Sequence, residues 1–319
     1  MLHKSLKIFI FFLIQLILFV CVGDSVAIAA KIEPEIKKAV TFIFVPGAQG
    51  KPVPNGTGFF VVIKDEKNPD RIFGYLVTAK HVLKDKLGVY FNRVYVRLNK
   101  KGGDAQLIGL DLMRQGNSII FMHPDATVDI AVVPVLPSPD MYDFKAISED
   151  MLPTAESFPE LHIGEGSDVF FAGLFVSYYG EHRNNPIVRF GRVAMLPEDR
   201  IEWRTDATKQ SEYVRLYLIE TQSYGGNSGS PVFFSLGSDR QPGSIILGLP
   251  VIKLAGIMTG SFNDISPIGI VEIPTAPVPV SRQNIGIAAV TPSYLLHEIL
   301  FSDELTKIRS GTKMDAPAK

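Results

Sequence analysis

The chain has a single cysteine in 319 residues, Cys21, and it lies inside an apolar run near the amino terminus. Loss of that run leaves no thiol, which excludes disulfides, thiolate–metal sites and a cysteine nucleophile. Val20 stands where a lipid-attachment cysteine would want a small residue, so lipidation is not expected. Charge of one sign is also missing. Lys and Arg number 32 against 33 Asp and Glu, and no basic face gathers, so no nucleic-acid partner is expected. The one short basic group, Lys100-Lys101 before two glycines, reads as a solvated hairpin tip. His123, His162, His182 and His297 show no H-x-x-x-H spacing, so no metal site is expected. GTG at 56–58 lacks the third glycine and the helix of a dinucleotide fingerprint and reads as the start of a strand; no cofactor is expected.

What is present begins with an export signal. MLHKSLK supplies positive charge, residues 8–22 (IFIFFLIQLILFVCV) are apolar, and Ala27-Ile28-Ala29 has the A-x-A form of a cleavage site. Residues 1–29 are therefore expected to be removed, giving a periplasmic or secreted protein that touches a membrane only if the segment stays uncleaved. After it, short apolar runs rich in β-branched and aromatic residues recur between Gly and Pro punctuation, among them AVTFIFV, GFFVVI, GYLVT and DIAVVPV before a Pro- and acid-rich connection at 136–160. VFFAGL, IVRFGRVAML, YVRLYLIE, PVFF, LAGIMTG and NIGIAAV follow it. Few helical periods and many short strands predict an all-β chain with two sets of about six strands, 30–160 and 161–300. One helix is expected from Ser293, where SYLLHEIL puts Leu295, Leu296 and Ile299 on one face. The polar tail 301–319 is expected to fray, and 261–283, with IPTAPVPV inside it, to be a mobile excursion.

QSYGGNSGSP, residues 222–231, sets Ser228 between Gly226 and Gly229 and runs straight into apolar PVFF. Glycines permit a sharp bend whose N–H groups converge on one point, so the stretch is suited to hold one hydroxyl beside an anion site. A serine needs a base, and the base needs an acceptor that fixes its tautomer. His81 in LVTAKHVL ends an apolar strand, and Asp129 heads DIAVVPV; His123, in FMHPDA, is the rival base. Each residue alone fits a structural role, as turn, strand-end histidine or cap. Together they run His81, Asp129, Ser228, which is neither the α/β-hydrolase order nor the subtilisin order.

GTGFFV, LVTAKHVL, DIAVVPV, FGRVAML, GGNSGSP and IGIAAVTPS, spread over nearly the whole mature chain, resemble the trypsin/chymotrypsin-like serine peptidases, and most of all their disulfide-free bacterial Deg/HtrA-type branch. The resemblance implies two six-stranded antiparallel β-barrels with a C-terminal helix, His81 and Asp129 from the first barrel and Ser228 from the second. It also implies an oxyanion hole made by the N–H groups of Gly226 and Ser228, each such donor being worth about 2.7–4 kcal/mol in the transition state. Gln222, six before the nucleophile, would floor the primary specificity pocket, with Met258, Thr259, Gly260, Ala288 and Ala289 as walls. A neutral floor disfavours substrate Arg or Lys and favours small or medium uncharged side chains.

Two departures from the family matter. Ser230 stands where the relatives carry glycine and adds a Cβ near the bend. Asn227 replaces the aspartate that receives a freed amino terminus in the digestive relatives, so no activating cleavage beyond loss of the signal is expected. Too few residues follow Leu300 for a PDZ-like domain. The expectation is an exported serine endopeptidase acting on protein or peptide substrates through an acyl-enzyme. A catalytically silent two-barrel module that binds protein segments, and a serine esterase, are the alternatives; the oligomeric state is not legible.

Overall fold

The computed structural model describes residues 34–65, 67–68, 70–203, 211–237, 250–267 and 280–311. The expected export signal, residues 268–279 and the last residues of the tail lie outside them. Glu35–Lys319 forms one compact unit.

In the first half the strands are β1 (Val40–Pro46), β2 (Pro52–Lys64), β3 (Ile72–Thr78), β4 (Arg93–Asn99), β5 (Ala105–Asp111), β6 (Met113–Arg114), β7 (Asn117–Ser118), β8 (Phe121–Met122), β9 (Ala131–Pro134) and β10 (Ala146–Ser148). All but the last residue of β1 is buried, because both of its faces are covered. One sheet runs β5-β4-β1-β2-β3-β9-β8. Its centre is the long β2, whose one edge carries β1 as far as Phe59 and then β10, in parallel, at Phe60–Val62. The other edge of β2 carries β3.

The expectation of two six-stranded antiparallel barrels is corrected here: only one barrel closes, and the first half is an open eight-stranded sheet with one parallel strand. Closure needs the two rim strands to pair over several residues. After β5 the chain turns into the small β6–β7 hairpin instead, and β8, the opposite rim, is two residues long. The backbone bond from Ile119 N–H to the Leu112 carbonyl at 3.0 Å only continues that hairpin and adds no ladder between β5 and β8.

The second half holds β11 (Asp168–Gly173), β12 (Ile187–Met195), β13 (Ile201–Trp203), β14 (Glu212–Val214), β15 (Tyr217–Glu220), β16 (Pro231–Leu236), β17 (Val251–Pro267) and β18 (Val280–Pro292). β11-β12-β15-β18-β17-β16 close into a barrel, and β13 and β14 form a separate hairpin. Alternation does the sorting: Val169 and Phe171 point into a core with Val193, Ile219, Phe234, Met258 and Val290, while Phe170 stacks on Phe233 outside it. Phe42 and Phe44 of β1 pack against Ala172 and Leu174, which joins sheet and barrel along one seam.

Of the stretch 261–283, expected to be a mobile excursion, residues 261–267 and 280–283 belong to β17 and β18, which pair out to Pro267↔Val280; 268–279 lie outside the described residues. The helix Ser293–Leu300 buries Leu295, Leu296 and Ile299. Beyond it a second helix, Asp303–Arg309, replaces the expected frayed start of the tail; Leu305 is buried beneath it and Arg309 donates to the Leu300 carbonyl at 2.6 Å.

Candidate active site

The β3–β9 register sets up the first half of the site. Thr78 lies opposite Ala131, so the residues just after β3 meet those just before β9. His81 sits there in the 3-10 turn Lys80–Leu83, which β3 enters through Ala79. The Asp129 carboxylate grips it twice, accepting from the His81 backbone N–H at 3.1 Å and meeting Nδ1 at 2.6 Å. A carboxylate only accepts, so Nδ1 carries the proton and Nε2 is the basic nitrogen. The Asp129 side chain is 19% exposed and that of His81 47%, so the acceptor is sheltered while the ring faces the cleft. Around them, burial pushes the Lys80 ammonium down against the opposing pull of Asp129, and Lys80 donates to the Ala126 carbonyl at 2.6 Å. Burial, then the charge of Asp129, raises the Tyr90 phenol.

The turn before Asp129 has its own brace. Thr127 donates from its hydroxyl (2.7 Å) and its N–H (3.0 Å) to the Asp125 carboxylate, and Arg200 reaches across from the start of the β13–β14 hairpin at 2.7 Å. These bonds, the Thr127 hydroxyl first, hold the Asp125 carboxyl at about 2.

The Ser228 turn lies against the same corner. Gly226 and Gly229 have φ of 95° and 83°, which only glycine adopts without strain. Thr57 of β2 clamps the turn from one side, donating its N–H to the Ser228 carbonyl and its hydroxyl to the Gly226 carbonyl, each at 2.8 Å. The same hydroxyl accepts from Leu174 N–H at 2.9 Å, and Thr78 donates to the Thr57 carbonyl at 2.7 Å. A Cβ on Gly229 would strike Thr57 and Thr78, so the Ser228 turn packs on the residues that lead into His81. Asn227 is fully buried; its Oδ1 accepts from Tyr224 N–H at 2.8 Å and its Nδ2 donates to the Leu174 carbonyl at 2.9 Å. Among the described residues, neither the Gly226 nor the Ser228 N–H donates to another backbone group.

Ser230 fits because the residue facing it is Gly173, where any Cβ would overlap the Ser230 hydroxyl; that hydroxyl is buried and has no hydrogen-bond partner among the described residues. Of the expected pocket residues, Gln222 is exposed and accepts from the Tyr224 hydroxyl at 2.8 Å, and the Arg189 guanidinium lies 4.7 Å over the Tyr224 ring. The Met258 side chain is in the barrel core, the Thr259 hydroxyl bonds Thr291 at 2.6 Å, and it is the Thr259 carbonyl that faces the Ser228 hydroxyl, at 3.5 Å. Gly260 lies beneath Trp203. His123 uses both ring nitrogens elsewhere, on Glu298 at 2.7 Å and on Asp125 N–H at 3.0 Å, which removes it as a rival base. The residue sequence reasoning missed is Thr57. Its signal was GTG itself, two glycines flanking a threonine, which let a second backbone come close: a Cβ on Gly56 would collide with Val82 and crowd the Ser228 carbonyl.

The described residues hold no group of three or more His, Cys, Asp or Glu suited to a metal. No curated protein matches the chain. The family model described as the trypsin-like peptidase domain matches residues 56–238, from Gly56 beside the clamp through His81, Asp129 and Ser228 to the end of β16. That span is more than half of the sequence and contains His81, Asp129, Ser228 and the Thr57 clamp. The chain belongs to the trypsin-like peptidase family.

Proposed function

We propose that the protein is an exported serine endopeptidase of the Deg/HtrA-type branch, acting without a cofactor. The observation that carries the reading is the double grip of Asp129 on the ring and backbone of His81, beside the clamped Ser228 turn. Ser228 Oγ attacks the scissile carbonyl as His81 Nε2 takes its proton, and Asp129 stabilises the imidazolium. The Gly226 and Ser228 N–H groups receive the oxyanion. His81 then protonates the leaving amine, and water, activated by His81, releases the acyl group. Asn227 orders the turn through a neutral amide with both ends engaged, so no freed terminus is needed.

A peptide substrate is favoured over a simple ester by the edge of β17. One edge pairs with β18; the other pairs with β16 only to Ile257 and then passes the Ser228 turn, where Gly229 N–H donates to the Met258 carbonyl. From Thr259 on, no described strand covers that edge, which suits it to take an extended chain as an added strand. With neutral Gln222 as floor and the Arg189 cation near it, cleavage after Arg or Lys is disfavoured; small or medium uncharged residues are expected. The test is stoichiometric labelling of Ser228 by a fluorophosphonate, with peptide hydrolysis reduced by about 10⁴-fold or more in Ser228→Ala and in His81→Ala. Hydrolysis equal to wild type in Ser228→Ala would overturn the proposal.

A further inference from the structure

Lys80, the residue before His81, reaches the turn that precedes Asp129: its Nζ donates to the Ala126 carbonyl at 2.6 Å. Other elements fasten the same turn. His123 accepts the Asp125 N–H at Nδ1 and so donates from Nε2 to Glu298 of the helix Ser293–Leu300, and Arg200 holds the Asp125 carboxylate. Arg200 thereby has a carboxylate partner, whereas Lys80 bonds a carbonyl and forms no ion pair among the described residues. It is partly buried. A neutral donor would hold that carbonyl as well, and burying an ammonium costs free energy unless an opposite charge is near. Burial pushes the Lys80 ammonium down, and of the charges around it Asp129 pulls back most.

Resting on the peptidase reading, we propose that Lys80 is a positioning residue that acts on His81 through Asp129. Its bond to Ala126 fixes the turn from which Asp129 follows, and its charge shares the Asp129 field with the imidazole. The Asp129 carboxylate meets His81 Nδ1 at 2.6 Å and by itself favours the imidazolium. His81 can take the Ser228 proton only while neutral. A second cation beside the same carboxylate opposes the charging of His81 and so keeps the base usable at lower pH. The other charged groups around Lys80 and His81 are engaged elsewhere or act less. Lys84 lies 4.6 Å over the Tyr90 ring, Arg200 is bound to Asp125, and His123 is held neutral by the Asp125 N–H. Lys84, Asp125 and Glu212 each act on Lys80 less than Asp129 does.

Neutralising Lys80 removes a charge of the same sign as the imidazolium, so His81 should charge at higher pH, by about 0.5–1 pH unit for a partly solvated pair. The experiment has two arms. In Ser228→Ala, which needs no catalysis, the imidazole Cε1–H resonance of His81 is followed against pH and assigned by its loss in His81→Gln. Adding Lys80→Met, which keeps the stem and removes the charge, is expected to raise the midpoint by that amount, and Lys80→Arg to leave it in place. Lys80→Gln makes the same comparison if the methionine variant does not fold. With Ser228 intact, the acid limb of kcat/KM on the uncharged peptide Ac-AAAVAA-amide is expected to move up equally in Lys80→Met. A residue that merely clips the turn would lower the plateau and leave the limb where it was. A His81 midpoint unmoved by loss of the charge, or moved as far by Lys80→Arg, overturns the proposal. Absence of Ser228 labelling with the midpoint shift intact overturns the catalytic reading alone.

Discussion

Ser230 and Gly173 are a complementary pair: across a tight contact, one carries a side chain and the other leaves room for it. The arrangement leaves a buried hydroxyl without a partner among the described residues, which costs about 1–3 kcal/mol. Ser230→Ala keeps the Cβ and removes the orphan, so it is expected to raise Tm by about 2–4 °C per kcal/mol recovered while peptide hydrolysis holds. Gly173→Ala drives a methyl into Ser230 and is expected to destabilise by about 1–3 kcal/mol, most of which returns in Gly173→Ala/Ser230→Gly. Thermal melts of the two single variants and the double variant decide it, and additivity would refute the pairing. Ser230 was visible in the sequence as a departure, but its partner was not, since nothing in VFFAGL marks Gly173 as the residue that faces it. Asn227 was more legible. Its neutrality was plain, though the two bonds that use up its amide depend on Leu174, 53 positions away.

At the scale of elements, the β13–β14 hairpin is held by an apolar cluster and tied to the turn before Asp129 by one ionised group. Asp125 holds Arg200 with its carboxyl near 2, below the ordinary carboxylate value of 3.8. A folded-state value depressed in this way contributes stability above the unfolded value and loses it as pH falls through the folded one. The hairpin is therefore expected to loosen between about pH 4 and pH 2, and Trp203 emission to move to the red over that window. Asp125→Asn should show the loosened spectrum already at pH 7, and an acid transition unchanged by that substitution would refute the assignment. Strand runs such as AVTFIFV and DIAVVPV were readable because continuous apolar stretches mark doubly covered strands. The β17–β18 ribbon was not. Prolines at 274, 277 and 279 suggested unpaired backbone, yet pairing reaches Pro267↔Val280, because two long strands supply each other's partners before those residues begin.

At the scale of the molecule, order and local setting single out three residues that are distant in the chain; the structure joins two of them directly and packs the third's turn on their corner. The number of barrels was misjudged because closure is decided by what the rims do, and the residues between β5 and β8 carry no sequence mark that separates a small hairpin from a closing strand. The open sheet sets how the protein should come apart. A closed cylinder yields only when a whole ladder breaks, whereas a sheet with two free rims can be peeled from either. The short β8 is one such rim, β9 is next to it, and Asp129 hangs from the start of β9. In dilute urea, backbone amides of β8 and β9 are expected to exchange with deuterium before those of β16 and β17, and peptide hydrolysis to fail at a lower concentration than Trp203 emission changes. Coincident midpoints and uniform exchange would refute this. If the order holds, mild stress loosens the Asp129 grip on His81 while the Ser228 turn keeps its shape, and washing the urea away restores the site by refastening a few residues, with the barrel never having been lost.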